Sequence, residues 1–193
     1  MMHTIVPIVE GHGEVVAAPL LIRRIAGAMN IFDIEVKKPI RVPKHKLQKT
    51  GELERTLDLA IQKAEGACGI FILLDADDDC PGETAPALLT RAREAWPNVP
   101  IQIVLAKMEY EAWFLGAIDS LVDQMQAELR PVRDCNPEVI RGAKERLEEL
   151  LGSHYSETVD QPAYTSLFDL GEARANCPSF DKCWRCLECL LSD

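Results

Sequence analysis

Residues 69–79 read Gly-Ile-Phe-Ile-Leu-Leu-Asp-Ala-Asp-Asp-Asp, and this stretch decides the fold. The run from Gly69 to Leu74 is continuously apolar, which is typical of a central parallel strand covered on both faces. It is the longest apolar run in the chain, yet it is only strand-sized and too short to span a membrane. The acidic residues that follow at once mark the carboxyl end of the predicted strand.

Two further apolar runs, Ile5–Val9 and Ile101–Leu105, predict strands on either side of it along the chain. The first run is followed by a helical pattern over 15–29 and the last by one that reaches about Met125. A shorter strand is predicted over 34–38, and helices are predicted over 52–65 and 86–96. Short apolar strands that alternate with helices predict an α/β fold with a mostly parallel sheet and helices on both faces.

The end of the chain has a different pattern from the beginning. From Pro137 onward the sequence predicts only helices and turns, at 137–151, 161–176 and 179–191. A chain of 193 residues is long enough for one domain with a substantial core. We therefore predict an α/β core over residues 1–130 and a helical C-terminal extension over 131–193 that packs on it.

The charge of the chain restricts its partners. The formal net charge is −10, whereas a protein that grips nucleic acid alone usually has a basic face. Basic residues are concentrated only between Lys37 and Lys49, in a segment with two prolines that we predict to be a loop. Either this basic segment meets a phosphate backbone, or a partner supplies most of the grip.

The N-terminus and the cysteines indicate the compartment. The first residues lack the features of a secretory signal and read as the start of a core strand, so we expect a cytoplasmic protein without membrane association. Seven cysteines do not suit a closed disulfide framework, which favours a reducing environment. Cys183, Cys186 and Cys189 are either zinc ligands or buried thiols at helical spacing, and the spacing favours the thiols.

Carboxylates follow three of the predicted strands. Because ligands of open parallel sheets bind beyond the carboxyl ends of the strands, we expect these side chains to meet at one edge. Clustered carboxylates repel one another unless a cation neutralises them, and hard cations such as Mg²⁺ or Mn²⁺ prefer oxygen ligands. The candidate metal ligands are Glu10, Glu14, Asp75, Asp77, Glu109 and Glu111. In an extended segment, Asp75 and Asp77 would project the same way.

These residues resemble a known domain. A strand ending in Glu10-Gly11 and a later strand ending in Asp75-Ala-Asp77 are similar to the Toprim domain of primases, topoisomerases and OLD-family nucleases. The Glu109-Tyr-Glu111-Ala-Trp-Phe-Leu segment resembles the OLD-type branch. The segments 155–162 and 179–182 resemble more specifically DUF4276, a Toprim-like family of unknown function.

The resemblance implies a metal-dependent nuclease that cleaves DNA or RNA beside an ATPase partner in a phage-defence module. It implies that Glu10 is a general base or metal ligand, and that the other five carboxylates complete the metal centre. Lys107 lies where a cation would steady a phosphate or transition state. The chain has no phosphate-binding loop of the Gly-x-x-x-x-Gly-Lys type, so ATP hydrolysis would come from the partner.

Two other functions stay open at this point. Asp75 in an Asp-x-Asp motif is also typical of phosphatases that use an aspartate nucleophile, although that motif usually follows the first strand. The same site would also suit a non-catalytic module that binds a nucleotide or a partner.

Overall fold

The predicted central strand lies in the middle of a parallel sheet. The computed structural model describes residues 2–126 and 136–192. Its strands are β1 (His3–Val9), β2 (Ile34–Val36), β3 (Ile40–Arg41), β4 (Gly69–Asp75) and β5 (Ile101–Ala106). The order is β2-β1-β4-β5, and β3 pairs with β1 beyond the end of β2. Every strand pair within the described part of the chain is parallel, as the apolar runs predicted.

Helices connect the strands and follow the last one. They are α1 (Glu14–Ala28), α2 (Lys44–Leu47), α3 (Glu52–Ala64), α4 (Pro81–Ala95), α5 (Ala112–Gly116), α6 (Ile118–Met125), α7 (Ala143–Leu151), α8 (Asp160–Leu167), α9 (Leu170–Asn176) and α10 (Pro178–Leu191). A short 3₁₀ turn covers Pro137–Val139.

The sheet separates two apolar cores. Phe71 and Leu73 of β4 face a core formed with α1, α5 and α10, whereas Ile70 and Ile72 face a second core formed with α3 and α4. Because side chains alternate across a strand, a continuously apolar β4 fills both cores. The predicted α/β class with helices on both faces is confirmed.

The C-terminal helices belong to the first core. Leu187 of α10 is fully buried, and α10 packs against β5, β4 and α1. Polar atoms in the segment after β5 also form hydrogen bonds with the C-terminal helices. Trp113 Nε1 donates to Ser179 Oγ at 2.8 Å, and the hydroxyls of Tyr110 and Thr165 are 2.9 Å apart. The division predicted between residues 130 and 131 lies outside the described residues.

Two elements differ from the prediction. The basic segment 39–50, predicted to be a loop, contains β3 and α2, because Leu47 is fully buried in the second core and Ile40 packs against it. Helix α4 begins at Pro81, five residues before the predicted start at Pro86. Proline is favoured in the first turn of a helix, where its missing N–H has no partner to lose.

Three of the C-terminal cysteines behave as core residues, whereas Cys189 is exposed. Cys177, Cys183 and Cys186 are buried among apolar side chains, and burial raises the pKa of each thiol.

No helix in residues 2–126 or 136–192 is long and apolar enough to cross a membrane.

The packing of α10 generates a stability prediction. Leu187→Ala should lower the free energy of unfolding by about 2–5 kcal/mol, because it leaves a cavity in the core shared by α10 and the sheet. Urea unfolding followed by circular dichroism measures the change. Leu59→Ala, at a side chain that is 51% exposed, is the control and should change stability far less. A cost below 1 kcal/mol for Leu187→Ala would contradict a shared core.

Candidate functional site

Three strand ends bring an inner group of carboxylates together, consisting of Glu14, Asp75 and Glu111. Glu14 is in the first turn of α1, and its Oε2 accepts hydrogen bonds from the backbone N–H groups of Glu10 and Gly11 at 2.9 and 2.8 Å. Asp75 ends β4, and its Oδ1 accepts from Tyr110 N at 2.8 Å. The bond from Tyr110 ties the loop after β5 directly to the end of β4.

Glu111 is the most deeply buried carboxylate of the inner group, with 0% exposure. Its Oε1 accepts from the Tyr155 hydroxyl at 2.9 Å and from Gln161 Nε2 at 3.3 Å. Lys144 Nζ lies 4.0 Å from the same oxygen and 3.4 Å from Glu157 Oε2. The C-terminal part of the chain therefore encloses the inner group.

Burial and mutual repulsion raise the pKa values of the inner group. Burial is the largest cause for Glu14, whose pKa rises to about 7, with further repulsion from Glu111 and Glu157. The pKa of Asp75 is raised well above its ordinary value by burial and by Glu14 and Glu111. Burial also raises the pKa of Glu111, although Lys144 and the Tyr155 hydrogen bond lower it in part.

An outer group lies next to the inner one and consists of Glu10, Asp77 and Glu109. Glu10 Oε1 accepts from Lys44 N at 2.9 Å. Asp77 takes a left-handed conformation with φ 50°, and its N–H donates to Met108 O at 2.9 Å. The chain therefore turns after Asp75 and is not extended, so the expectation that Asp75 and Asp77 project the same way was wrong.

Lys44 fastens the acidic loop after β4. Its Nζ donates to Asp75 O and Ala76 O at 2.9 and 2.8 Å, and it forms ion pairs with Asp77 Oδ2 at 2.8 Å and Asp79 Oδ2 at 3.3 Å. Burial lowers the pKa of Lys44, but the bonds and charges of Asp77 and Asp79 outweigh it, so the pKa is raised. The ammonium group stays charged and offsets part of the acidic charge.

A polar cleft of about 250 Å³ opens beside the outer group. It lies between the loops after β4 and β5 and the start of α7, and it is lined by Asp77, Asp78, Met108, Glu109, Arg141 and Gly142. Arg141 and Asp78 form an ion pair across it. Burial raises the pKa of Glu109, with Asp77 and Glu145 adding to the rise and Lys144 opposing it. The cleft gives Asp77 and Glu109 access to solvent.

Lys107 lies away from both groups. It lines an apolar cavity of about 410 Å³ along β5, between α4 and the start of α10. Its backbone N–H donates to Ser179 Oγ at 3.1 Å. Among the described residues, the lysines that contact the carboxylates are Lys44 and Lys144. Lys107 makes no ion pair with either group in the described ranges, so Lys44 and Lys144 are the lysines that offset the acidic charge there.

Buried oxygens without partners mark the site. Across residues 2–126 and 136–192, the buried side-chain polar atoms that lack a hydrogen bond are Glu10 Oε2, Glu109 Oε2, Glu111 Oε2 and Gln161 Oε1. All are oxygens, and all belong to the two carboxylate groups or to a residue bonded to them. An unpaired buried acceptor is costly, so these atoms need a cation or another donor.

These oxygens fit a hard cation of the magnesium type. No set of three or more His, Cys, Asp or Glu side chains in the described ranges is arranged to hold a single ion. A structural zinc site would need such a closed set, whereas Mg²⁺ is often held by one or two carboxylates together with waters and substrate phosphates. The inner and outer carboxylates match that second donor set.

The turn after β1 is packed tightly under the C-terminal segment. Glycine at position 13 lets the segment approach, since a Cβ there would lie 2.2 Å from Gln161 Oε1 and 2.4 Å from Glu157 O. A Cβ at Gly11 would lie 2.7 Å from Glu157 Oε1. The two glycines of the Gly-His-Gly turn therefore serve close packing.

Sequence reasoning missed several residues of the site. Lys144 lies on an amphipathic helix with no local motif, so no pattern distinguished it from a solvated lysine. The polar segment that contains Tyr155, Glu157 and Gln161 could not be placed in the fold from the sequence. Their unusual concentration of hydrogen-bonding side chains was the available signal.

The fold and the site define a class: an α/β protein with a parallel sheet and an acidic site at the carboxyl ends of its strands. The chain also matches the family model described as "Domain of unknown function (DUF4276)" over residues 9–188, and it belongs to that family. No curated protein and no solved structure matches the chain.

The packing of the Gly-His-Gly turn can be tested directly. Gly13→Ala should lower the free energy of unfolding by about 1–3 kcal/mol, because the added methyl group overpacks the contact with Gln161 and Glu157. Gly27→Ala is the control, since a Cβ there meets nothing within 4 Å and a helical alanine should stabilise by about 0.5–1 kcal/mol. Urea unfolding measures both; equal effects at the two positions would contradict the packing.

The raised pKa of Glu14 predicts a pH dependence of stability. In the folded state Glu14 keeps its proton up to about pH 7, whereas the unfolded chain loses it near the ordinary value of 4.5. The contribution of Glu14 is therefore fully present below pH 4.5 and is lost as pH rises to about 7. Its total is about 3 kcal/mol.

Urea unfolding of the metal-free protein between pH 4.5 and 8 measures this effect. Glu14→Gln should reduce the decline of the free energy of unfolding with rising pH, because the amide does not titrate. Glu94→Gln, at an exposed position on α4, should leave the decline as it is in the wild type. A decline of the same size in Glu14→Gln would contradict the assignment.

Proposed function

We propose that this chain is a Mg²⁺- or Mn²⁺-dependent nuclease of the Toprim type, related to the OLD-family nucleases. The observation that carries the proposal is the set of buried, unpartnered oxygens around carboxylates delivered by three strand ends. Oxygen ligands of this kind, open to a polar cleft, are what metal-dependent phosphodiester cleavage requires.

The carboxylates would hold the metal in two places. One or two carboxylates of the inner group (Glu14, Asp75 and Glu111) would hold the metal on the buried side, and one or two of the outer group (Glu10, Asp77 and Glu109) would hold it towards the cleft. Waters and substrate phosphates would be the other ligands. When bound, Mg²⁺ or Mn²⁺ supplies an activated water and stabilises the charge on a phosphate oxygen.

The residues of the chain itself have separate tasks. Glu10 is the proposed general base, since its Oε1 is held by the backbone N–H of Lys44 while its Oε2 has no partner. Lys44 keeps the acidic loop in position, and the ammonium of Lys144 offsets negative charge beside Glu111. Lys144 takes the place that the sequence assigned to Lys107.

The basic segment supports binding to a phosphate backbone. Arg41 Nη1 donates to Glu10 O at 3.5 Å, which places the segment directly beside the site. Lys38, Arg41, His45, Lys46 and Lys49 are exposed. The whole chain carries a net charge of −10, and this basic surface is small in comparison. We therefore propose that an ATPase partner, in a cytoplasmic phage-defence assembly, makes further contacts with the nucleic acid.

The phosphatase interpretation has less support. The Asp-x-Asp motif that such phosphatases use normally follows the first strand, whereas here it follows β4. One oxygen of Asp75 is also occupied by Tyr110 N–H. A binding module without catalysis remains the alternative to a nuclease, and the same experiment separates them.

The test is cleavage of plasmid DNA, single-stranded DNA and tRNA by the purified chain in Mn²⁺. Asp75→Asn should reduce cleavage by about 100-fold or more, since even outer partners of metal ligands are worth about 10–100-fold. Asp123→Asn, at an exposed position on α6, is the matched control and should cleave like the wild type.

Wild-type protein that cleaves none of these polymers, or an Asp75→Asn variant that cleaves equally well, would contradict the nuclease proposal. Metal binding without cleavage would favour the binding module.

A further inference from the structure

The C-terminal segment 155–161 is built into the buried side of the site. The Tyr155 hydroxyl and Gln161 Nε2 both donate to Glu111 Oε1, at 2.9 and 3.3 Å. Glu157 Oε1 accepts from Gly13 N at 3.5 Å, and its Oε2 faces Lys144 Nζ at 3.4 Å. The segment therefore directs two polar atoms at the buried Glu111 carboxylate and fixes its own position through Glu157.

The contact between Gln161 and Glu111 leaves two oxygens without partners. Gln161 is 1% exposed and Glu111 is 0% exposed, so water outside the protein reaches neither side chain. One hydrogen bond joins the pair, yet Gln161 Oε1 and Glu111 Oε2 have no partner in the described structure. Two unpaired acceptors on hydrogen-bonded residues are satisfied either by a bound cation or by a proton on Glu111.

The charges around Gln161 and Glu111 also favour a bound cation. Asp75, Glu14 and Glu111 repel one another, and Glu157 adds a further negative charge next to them. Lys144 is the cation that faces this group within the described residues. When these carboxylates are ionised, one ammonium group leaves a net negative charge, which a divalent ion would neutralise. An amide oxygen and a carboxylate are both ligands that hard divalent ions accept.

We infer that Gln161 supplies its side-chain amide oxygen, together with the carboxylate of Glu111, to a divalent cation on the buried side of the site. This inference rests on the proposed function, because the ion is the metal of that proposal. It makes the C-terminal segment a part of the metal centre. Glu157 and Tyr155 position the segment through Gly13, Lys144 and Glu111.

The experiment is titration of the metal-free protein with MnCl₂ by isothermal calorimetry. Gln161→Met keeps the size of the side chain and removes its oxygen, and it should weaken Mn²⁺ binding by about 10-fold or more. Gln161→Glu keeps an oxygen at the same reach but loses the N–H donor to Glu111, and it should bind at least as tightly as wild type. Gln62→Met, at an exposed position on α3, is the control.

The pair of variants separates a ligand from a positioning residue. If Gln161 only held Glu111 through its N–H group, Gln161→Glu would bind as weakly as Gln161→Met, and the inference would be overturned. Wild-type binding by Gln161→Met would also overturn it. If Gln161→Met does not fold, Gln161→Asn, which withdraws the amide by one methylene, replaces it with the same expected loss.

Failure of the inference and failure of the proposed function give different results. Tight Mn²⁺ binding by wild type that Gln161→Met retains contradicts the inference alone. Mn²⁺ binding that depends on Gln161, without cleavage of any nucleic acid, contradicts the nuclease proposal alone. Wild-type protein that binds no Mn²⁺ contradicts both.

Discussion

The structure depends on the repulsion among carboxylates that the parallel sheet brings to one edge. Asp75, at the end of the central strand, lies within the electrostatic reach of Glu14 and Glu111, and burial prevents water from screening them. The surrounding residues reduce this repulsion in three ways. Backbone N–H groups donate to Glu14 and Asp75, Lys144 faces Glu111, and proton uptake is favoured by the raised pKa values. In our proposal, the negative charge that these contacts leave uncompensated gives the site its affinity for cations.

The sheet could be predicted from the sequence because its signals are local. A continuously apolar run such as that of residues 69–74 identifies a doubly covered strand, and the carboxyl ends of parallel strands coincide at one edge. The basic segment could not be read in the same way. Its short helix forms because Leu47 enters the second core and Lys44 reaches the acidic loop, and both are tertiary contacts.

The site was predictable only in part, for the same reason. The acidic residues at strand ends allowed the inner carboxylates to be predicted. The conformation of Asp77, however, depends on a hydrogen bond from its N–H to Met108 O, and no sequence motif predicts that bond. The family resemblance implied that Lys107 supplies a cation to the site. The lysines that contact the carboxylates, Lys44 and Lys144, come from the basic segment and from α7, and no local motif marks either of them.

The dependence of the inner carboxylates on residues 144–161 has a consequence for synthesis on the ribosome. The strand ends with Glu14, Asp75 and Glu111 emerge first, before Lys144, Tyr155 and Gln161 exist as partners. A nascent chain that has reached residue 126 therefore carries these carboxylates without their later hydrogen-bond and ion-pair partners. The complete centre forms only after translation has passed Gln161, so the growing polypeptide passes through most of its elongation without a finished site.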